Sequence, residues 1–513
     1  MRRQAGPLVA WAFVLAVLSF GGVTHQRERF LRSPEGRKTL SLSPARLLEE
    51  VRLDWVNDGD ALRYRAYVDA ALGRPYQSYY VRTLAQWLSS FAGGDAALEP
   101  ADDPDHSPVA TPPHPLVPWR DYLVEYPPGF FLWALPPALL ARSPAAYVAI
   151  FCGQMALLLT GALLLCLRLA GRMGSASSRA AVTDVLPAFA AASVAALGVV
   201  CTHRYDAAIS LLLCAAAWAA AEDRPAVSGI ALGLAIASKL TPIFAAPVLL
   251  AYFIFSRRQR SARRFFIATA ATALLVCAPA LIFAGTGLLE MLRYHALRPL
   301  QTESTAAALL GLARAFNPAI ATTHYAFGSL NLEGPAVGAL SRIFTALSGL
   351  AVLAVLWLAA LRLRRATALD PVAPLPAAQE AAGGAPREEP TAVLVEGMVA
   401  VLLAFMGLGK VFSPQYLVWL LPLGLVAALF RSRRAALAML ALFALTQVLY
   451  PYSYGALRRL ETWSYALLLA RNALLIGLGV FFALPPARGQ RAHDGAGKKK
   501  APEHFPVQGP CRE

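Results

Sequence analysis

The sequence predicts an all-α, polytopic helical membrane protein with about twelve transmembrane helices and a long first loop outside the cytoplasm. Of its 513 residues, 57% are hydrophobic and only 15% are charged, whereas a soluble protein carries about a quarter charged residues. Apolar runs of about 17–25 residues recur along the chain, and each is long enough to cross about 30 Å of hydrocarbon. Basic residues gather between these runs, as they do in the cytoplasmic loops of membrane proteins.

The net charge of +16 would suit a nucleic-acid-binding protein, but its distribution argues against that class. Arg and Lys cluster in short loops and in the tail, where they act as topology anchors: Arg257–Arg264, Arg362–Arg365, Arg431–Arg434 and Lys498–Lys500. Five of the six cysteines lie in or beside apolar runs, and the long loop has none. The spacing therefore indicates neither a disulfide framework nor a metal site.

The chain begins with an apolar segment and a long polar loop. Residues 1–23 start with Met1-Arg2-Arg3 and are predicted to form an uncleaved signal anchor, because many spans follow. Residues 24–127 are the extracytoplasmic loop. Within it, 47–72 are predicted to form one or two amphipathic helices, and 93–118, rich in Pro, Asp and Gly, a flexible insert.

The later apolar runs are assigned to faces by counting back from the basic tail, 484–513, which is predicted to be cytoplasmic and disordered. This gives a transmembrane core at 128–361 with an outer loop at 285–334, a cytoplasmic linker at 362–390 and C-terminal spans at 391–483. Residues 128–142 are short, so they are predicted to be half-inserted. Counting them as a full span would reverse every later segment, and the alternation could also fail near Lys239, where two short runs meet.

On this topology, the polar residues suited to chemistry gather at the outer face. Ionisable groups at membrane depth are costly unless they are paired or line a cavity, so their clustering predicts a shared cavity. A transporter more often places such groups in mid-helix, at matched positions of internal repeats, and no such pattern is evident. The residues are Asp58, Asp60, Asp121, Glu125, Arg204, Asp206, Lys239, His295, Arg298, Glu303, Lys410 and Gln415.

Several short motifs together resemble glycosyltransferase family 87, of the GT-C superfamily. The resemblance spans about residues 55–425, and the set is more specific than any one member. In the family, the Gly-x-Pro-Tyr element and the Arg-Asp element usually lie close together. In this sequence, residues 77–118 separate them. The motifs are Asp60-x-x-x-Tyr64, Gly73-Arg74-Pro75-Tyr76, Arg120–Pro128, Arg204-Tyr205-Asp206, Lys239-Leu240-Thr241-Pro242, Tyr294–Ser304 and Phe412–Trp419.

The resemblance implies an inverting hexosyltransferase that uses a polyprenyl-phosphate sugar, commonly mannose. The sugar would pass to a lipid or glycan acceptor at the outer face of the bacterial inner membrane. The leaving phosphate is a weak base, so one carboxylate suffices to accept the proton of the acceptor hydroxyl. Asp60 fits this role, with Asp58 as its competitor. No cofactor is required; the two aspartates could hold a divalent ion, but the nearby cations make one unnecessary.

Charge that develops on the departing phosphate calls for cationic donors. His295, Arg298, Lys239, Lys410 and Arg204 are the candidates for donor-phosphate binding, and Asp121, Glu125, Tyr126 and Gln415 are those for substrate binding. Simpler roles compete with these. Glu125 could pair with Arg120, and Arg204 and Lys239 could be interfacial side chains whose charged ends reach water.

Two other functions fit the same pattern of charge. A lipid-linked sugar flippase or transporter would share the outer cavity, but the concentration of carboxylates in the first outer loop favours an enzyme. A glycan polymer ligase would differ only in its donor, a polyprenyl diphosphate. The sequence leaves the acceptor, the linkage and the oligomeric state open.

Overall fold

A computed structural model of the chain describes residues 59–92, 109–256, 259–368 and 388–486. This part of the chain is largely helical, which confirms the predicted all-α membrane class. Its helices are α1 Gly59–Ala71, α2 Leu84–Ala92, α3 Phe131–Leu140, α4 Pro144–Ala170, α5 Ala176–Leu197, α6 Asp206–Ala221, α7 Pro225–Ser238, α8 Ala246–Phe255, α9 Gln259–Ala284, α10 Leu288–Leu297, α11 Thr305–Ala313, α12 Val337–Thr367, α13 Pro390–Leu408, α14 Tyr416–Arg431, α15 Arg433–Gln447, α16 Tyr454–Arg458 and α17 Thr462–Ala483.

Short strands form two antiparallel pairs on the loops. In the described residues, β1 (Tyr76–Gln77) pairs with β2 (Val109–Ala110), and β3 (Thr322–Ala326) pairs with β4 (Ser329–Glu333). The all-α prediction anticipates neither pair. Phe327 and Gly328 join β3 to β4 with φ angles of 53° and 64°. A two-residue turn with positive φ at both positions matches the twist of the strands, and glycine adopts it without strain.

Seven helical segments of the described chain are long and apolar enough to cross a bilayer, from Pro144–Ala170 to Thr462–Ala483. Shorter apolar helices of 10–17 residues accompany them: Pro128–Leu140, Asp206–Ala221, Pro225–Ser238, Thr241–Phe255 and Tyr416–Arg431. The number of about twelve crossings stays a prediction. The predicted first span, residues 1–23, lies outside the described residues.

Two glycines allow α7 and α9 to pack backbone against backbone, as small residues do between membrane helices. A Cβ at Gly229 would lie 2.4 Å from the carbonyl oxygen of Phe265, and one at Gly233 would lie 2.6 Å from that of Thr269. The contacts advance in the same order along both helices, so α7 and α9 run parallel. The chain must therefore reverse between them, and Lys239 lies at the end of α7, where this reversal begins.

One end of the bundle, called here the basic face, holds a buried ion cluster. Glu396 at the start of α13 accepts hydrogen bonds from Arg362 near the end of α12 and from Arg431 at the end of α14, the latter at 2.7 Å. Arg362 also pairs with Glu388 at 2.7 Å. Both arginines donate to backbone carbonyls at the end of α17. The basic loops after α12 and α14 therefore lie at the same face.

At the other end, α1 packs through aromatic side chains on the helices beneath it. Tyr64 is buried, and its ring lies 5.1–5.7 Å from the rings of Phe130, Phe151 and Tyr205, mostly edge to face. Aromatic pairs of this geometry stabilise a contact beyond the area they bury. The packing fixes α1 against α3, α4 and the start of α6, and so fixes the direction in which Asp60 and Arg63 point.

The pairing of β1 with β2 closes the insertion that separates two of the sequence motifs. Residues 93–108 lie outside the described residues, whereas the strands join the chain just before the insertion to its return. A Cβ at Gly73 would contact the ring of Pro115 at 3.2 Å. Within the insertion, Trp87 of α2 donates a hydrogen bond to Glu290 at 3.0 Å and its ring lies 5.5 Å from that of Tyr294. The separated motifs are thus adjacent, and α2 reaches α10.

Candidate active site

A cavity of about 660 Å³ lies at the end of the bundle opposite the basic face. Its walls come from α1, the loop after Val124, the start of α6, the break after α7, the end of α10, the β3–β4 turn, α12 and the loop before α14. Among the predicted site residues, those that line it are Asp60, Glu125, Tyr126, Lys239, His295, Arg298, Lys410 and Gln415. The structure thus brings most of the candidates into one space.

Two carboxylates on one wall are each held by an arginine. Asp60, in the first turn of α1, forms a salt bridge with Arg204. Glu125 forms one with Arg63 at 3.0 Å and also accepts a hydrogen bond from Tyr67. Arg204 is therefore committed to Asp60 and does not itself line the cavity. The wall presents two oriented acceptors with little excess charge.

Lys239 is surrounded by groups that satisfy its charge. Its Nζ lies 2.6 Å from Oδ1 of Asp206 and 4.9–5.2 Å from the ring centroids of Tyr205, Tyr416 and Trp419. Ammonium groups bind aromatic faces at such distances, and Trp419 donates to the same carboxylate oxygen. Lys239 thus forms part of the cavity floor, with its charge matched by Asp206.

Arg298 and Lys410 differ from the other cations of the cavity. Arg298 donates to the hydroxyl of Ser329 at 3.0 Å, and Lys410 donates to the backbone carbonyl of Ala296 at 2.8 Å. Within the described part of the chain, neither forms a salt bridge with a carboxylate. Burial, together with the nearby charge of Arg298, lowers the pKa of Lys410. Two positive charges that form no salt bridge with the described residues therefore face the cavity.

His295 connects the two walls. Its Nε2 lies 2.8 Å from the backbone carbonyl oxygen of Glu125. A carbonyl only accepts, so this nitrogen carries a proton and donates it. The imidazole therefore fixes α10 to the loop of Glu125, and phosphate binding by His295 stays a prediction.

Asp121, a predicted substrate-binding residue, lies elsewhere. Asp121 does not line the cavity; it forms a salt bridge with Arg120 at 2.9 Å and accepts from the backbone N–H of Val117 at 2.7 Å. Hydrogen bonding by Arg120 lowers the pKa of the Asp121 carboxyl. Asp58 lies outside the described residues. The described residues also contain no cluster of three or more His, Cys, Asp or Glu that could hold a metal.

The site also contains Arg63, Phe327 and several residues of α12, none of which was predicted from the sequence. Arg63 is three residues after Asp60 on one helix face, and this spacing could have identified it. Phe327 lines the cavity from the β3–β4 turn, which the all-α prediction does not include. The α12 residues Thr345, Ser348, Gly349, Val352 and Leu353 form a largely apolar arm of the cavity with Ile243, Phe244 and Phe405.

This apolar arm reaches the outside of the bundle. Leu353 and Ile243 both line the cavity, yet they are 64% and 51% exposed. Both belong to segments long or apolar enough to lie in a bilayer. The arm therefore opens between α12 and the turn after α7, on a side that lipid would cover.

A charged cavity with a lateral apolar arm, set in a bundle of apolar helices, is the architecture of a polytopic membrane protein. The family model for glycosyltransferase family 87 matches residues 123–378. The chain belongs to this family and is a membrane glycosyltransferase. The match includes Glu125, Lys239 and Arg298. Asp60 precedes it, and Lys410 follows it.

Among solved structures, the chain is similar to the crystal structure of ArnT from Cupriavidus metallidurans bound to undecaprenyl phosphate. The two share 13% sequence identity over 85% of this chain and 77% of that chain, with a TM-score of 0.37. A search of curated proteins found no matching relative.

Proposed function

We propose that this glycosyltransferase transfers a hexose, with mannose as the first candidate, from a polyprenyl-phosphate donor to a lipid or glycan acceptor. The observation that carries the proposal is the position of Arg298 and Lys410. Two cations without carboxylate partners in the described chain stand beside an apolar arm that opens toward lipid. A phosphate joined to a prenyl chain has the matching chemistry, because its charge and its hydrocarbon would occupy the two parts of the cavity.

Asp60 is the proposed general base. The acceptor hydroxyl attacks the anomeric carbon, the bond from that carbon to the phosphate oxygen breaks, and the hydroxyl proton passes to Asp60. The lipid phosphate leaves with the electrons of the broken bond, so its negative charge grows beside Arg298 and Lys410. Preorganised donors at such a position stabilise the transition state. Attack opposite the leaving group inverts the anomeric centre.

Glu125, Tyr126 and Gln415 are proposed to contact the sugar or the acceptor. Glu125 is oriented by Arg63 and Tyr67, and its backbone carbonyl by His295. The Tyr126 ring stacks on Phe130 with centroids 4.8 Å apart, so its position is also fixed. Oriented groups bind a ligand at lower entropic cost than mobile ones.

The proposal sets the cavity at the extracytoplasmic side of a bacterial cell membrane. The basic loops lie at the opposite end of the bundle, and such loops remain in the cytoplasm. Cysteines placed at Phe316, which is 93% exposed, and at Ser177, which follows α4 at the other end, test this. An impermeant thiol reagent applied to intact cells should label the first and not the second. The reverse pattern would overturn the orientation.

The central experiment is transfer by the purified protein in lipid nanodiscs supplied with radiolabelled polyprenyl-phosphate mannose and membrane-lipid extracts as acceptors. Formation of a labelled glycosidic product, with release of polyprenyl phosphate, supports the proposal. Product formed only from a polyprenyl-diphosphate glycan would assign the protein as a polymer ligase.

A further inference from the structure

A fully buried arginine lies on the last described transmembrane helix, beyond the segment that matches the family model. Arg471, in α17, is 1% exposed. A charged side chain inside an apolar helix is costly, and such residues are retained mainly where they pair, line a pathway or serve a site. Arg471 does not line the cavity, so its role must lie in what it contacts.

Arg471 contacts the two loops that carry Arg298 and Lys410. Its Nη2 donates to the backbone carbonyl of Glu303 at 3.0 Å, and its guanidinium carbon lies 4.1 Å from the ring centroid of Phe412. The planar guanidinium can donate in its plane and stack with its face at the same time. We define residues 298–304 and 409–415 as the donor loops. One side chain thus joins both of them to α17.

The donor loops are also bound to each other next to these contacts. The backbone N–H of Gln301 donates to the carbonyl of Lys410 at 3.0 Å, and its side-chain amide donates to Glu303 at 2.8 Å and to Ser413 at 3.1 Å. Arg298 is three residues before Gln301, and Lys410 is three residues before Ser413. Arg298 and Lys410 therefore lie on short segments that one network of hydrogen bonds holds together.

We propose that Arg471 is a positioning residue that sets the relative placement of Arg298 and Lys410 for the donor phosphate. This inference rests on the proposed function, because it takes those two cations as the phosphate site. Hydrogen bonds to a phosphate weaken steeply when their geometry is poor, and small misplacements of binding groups reduce rates strongly. The role falls to Arg471 because its guanidinium contacts both loops. Asn472, the next residue of α17, donates to the same carbonyl of Glu303 at 3.3 Å and supports the contact with that loop.

A purely structural role for Arg471 is the alternative, and the chain provides a matched control. Arg431, the last residue of the apolar helix α14, is a buried arginine like Arg471. Like Arg471, it donates to backbone carbonyl groups. It lies at the basic face, far from the donor loops. Arg431→Lys therefore repeats the chemical change of Arg471→Lys without touching the proposed device.

The experiment compares Arg471→Lys, Phe412→Leu and Arg431→Lys in nanodiscs, with Arg298→Ala as the positive control for the phosphate site. Thermal unfolding, donor KM and acceptor KM are measured with radiolabelled polyprenyl-phosphate mannose. We expect Arg471→Lys to raise the donor KM about tenfold, equivalent to about 1.4 kcal/mol, with an unchanged acceptor KM. Phe412→Leu, which keeps an apolar side chain but loses the ring, should raise the donor KM about threefold.

Arg431→Lys should lower the midpoint of thermal unfolding and leave the donor KM unchanged. If Arg471→Lys and Phe412→Leu behave like Arg431→Lys while Arg298→Ala raises the donor KM, the positioning role is wrong and the phosphate site stands. If Arg298→Ala also leaves the donor KM unchanged, the phosphate site itself is wrong, and the inference falls with it.

Discussion

At the basic face, Arg362 and Arg431 share Glu396, and Arg362 also pairs with Glu388. Both arginines also donate to backbone carbonyls at the end of α17. At the cavity, Arg63, Arg204 and Lys239 form salt bridges with carboxylates, whereas no salt bridge in the described chain involves Arg298 or Lys410. Both regions bury charge in a helical bundle. One cancels its charge internally, and the other retains positive charge that an anionic ligand can neutralise.

We interpret this difference as that between a stabilising ion cluster and the proposed phosphate site. Breaking a buried ion pair by removing one partner is strongly destabilising, because the other charge is left without a partner. Changes at the basic face should therefore act on stability. Changes at the cavity should act on catalysis and on donor binding, with smaller effects on folding.

The largest effect is expected at the carboxylate wall. Asp60→Asn keeps the size of the side chain but cannot accept the acceptor proton, and loss of a general base lowers the rate by about 10²–10⁴. Single-turnover transfer in nanodiscs measures this, with Asp184→Asn on the exposed surface of α5 as the matched control. Should Asp58→Asn abolish transfer while Asp60→Asn retains it, the base is Asp58.

The basic face should give the largest effect on stability. Glu396→Gln leaves two buried arginines with less compensating charge, so the free energy of unfolding should fall by about 3–5 kcal/mol. Denaturation followed by the fluorescence of a thiol-reactive dye measures the loss. The donor KM of the remaining folded protein should not change. A raised donor KM would instead show that the basic face and the cavity are energetically coupled.

The two cations should have intermediate effects. Removing either Arg298 or Lys410 by substitution with Ala deletes a charge-assisted bond of about 1.5–3 kcal/mol, so kcat/KM for the donor should fall about tenfold to hundredfold. Arg342→Ala, at an exposed position on α12, is the control for a general loss of positive charge. Equal losses in all three variants would indicate long-range attraction rather than a phosphate site.

The smallest expected effect is a dependence on pH. Burial raises the pKa of Glu303 to about 7. Its side chain is therefore a negatively charged acceptor for Gln301 above pH 7, and it loses that charge as the pH falls through 7. The donor KM should rise a few-fold below pH 7 in the natural protein and stay flat in Glu303→Gln. The charged or titratable groups that face Glu303 are Arg471, Arg298, Arg204, Tyr454 and Tyr465. An identical pH profile for both proteins would contradict this.

Stability should depend on the same carboxyl with the opposite sign. A carboxyl whose folded pKa lies above its unfolded value of about 4.3 favours the folded state less as it ionises. Glu303→Gln should therefore gain stability relative to the natural protein as the pH rises from about 4.3 to 7. Thermal unfolding at several pH values measures this difference.

Much of the site could be predicted from the sequence because residue type and loop position already limit where charge can lie in a membrane protein. Asp60, Lys239, Arg298 and Lys410 were predicted on one face and line one cavity. Their individual partners could not be predicted. Pairing of Arg204 with Asp60, or of Lys239 with Asp206, depends on how helices far apart in sequence pack together.

The fold shows the same limit. Long apolar runs predict helices reliably, because a membrane segment must satisfy its own backbone hydrogen bonds. The β3–β4 hairpin was missed because its strands are only five residues each and lie in a polar loop without that constraint. Arg471 was also missed, since nothing local in α17 indicates that its side chain reaches the loops before α11 and α14.

The short helices beside the cavity have a consequence for the bilayer itself. With 16 and 14 residues, α6 and α7 are about 24 and 21 Å long, less than the 30 Å of a typical hydrocarbon core. If their inner ends lie at the boundary with the cytoplasm, their outer ends stop below the opposite headgroups. Lys239, at the outer end of α7, would then lie within the depth of the acyl chains, and a lipid phosphate that enters the cavity would descend below the level of the headgroups. Hydrophobic mismatch of this kind makes transfer sensitive to bilayer thickness.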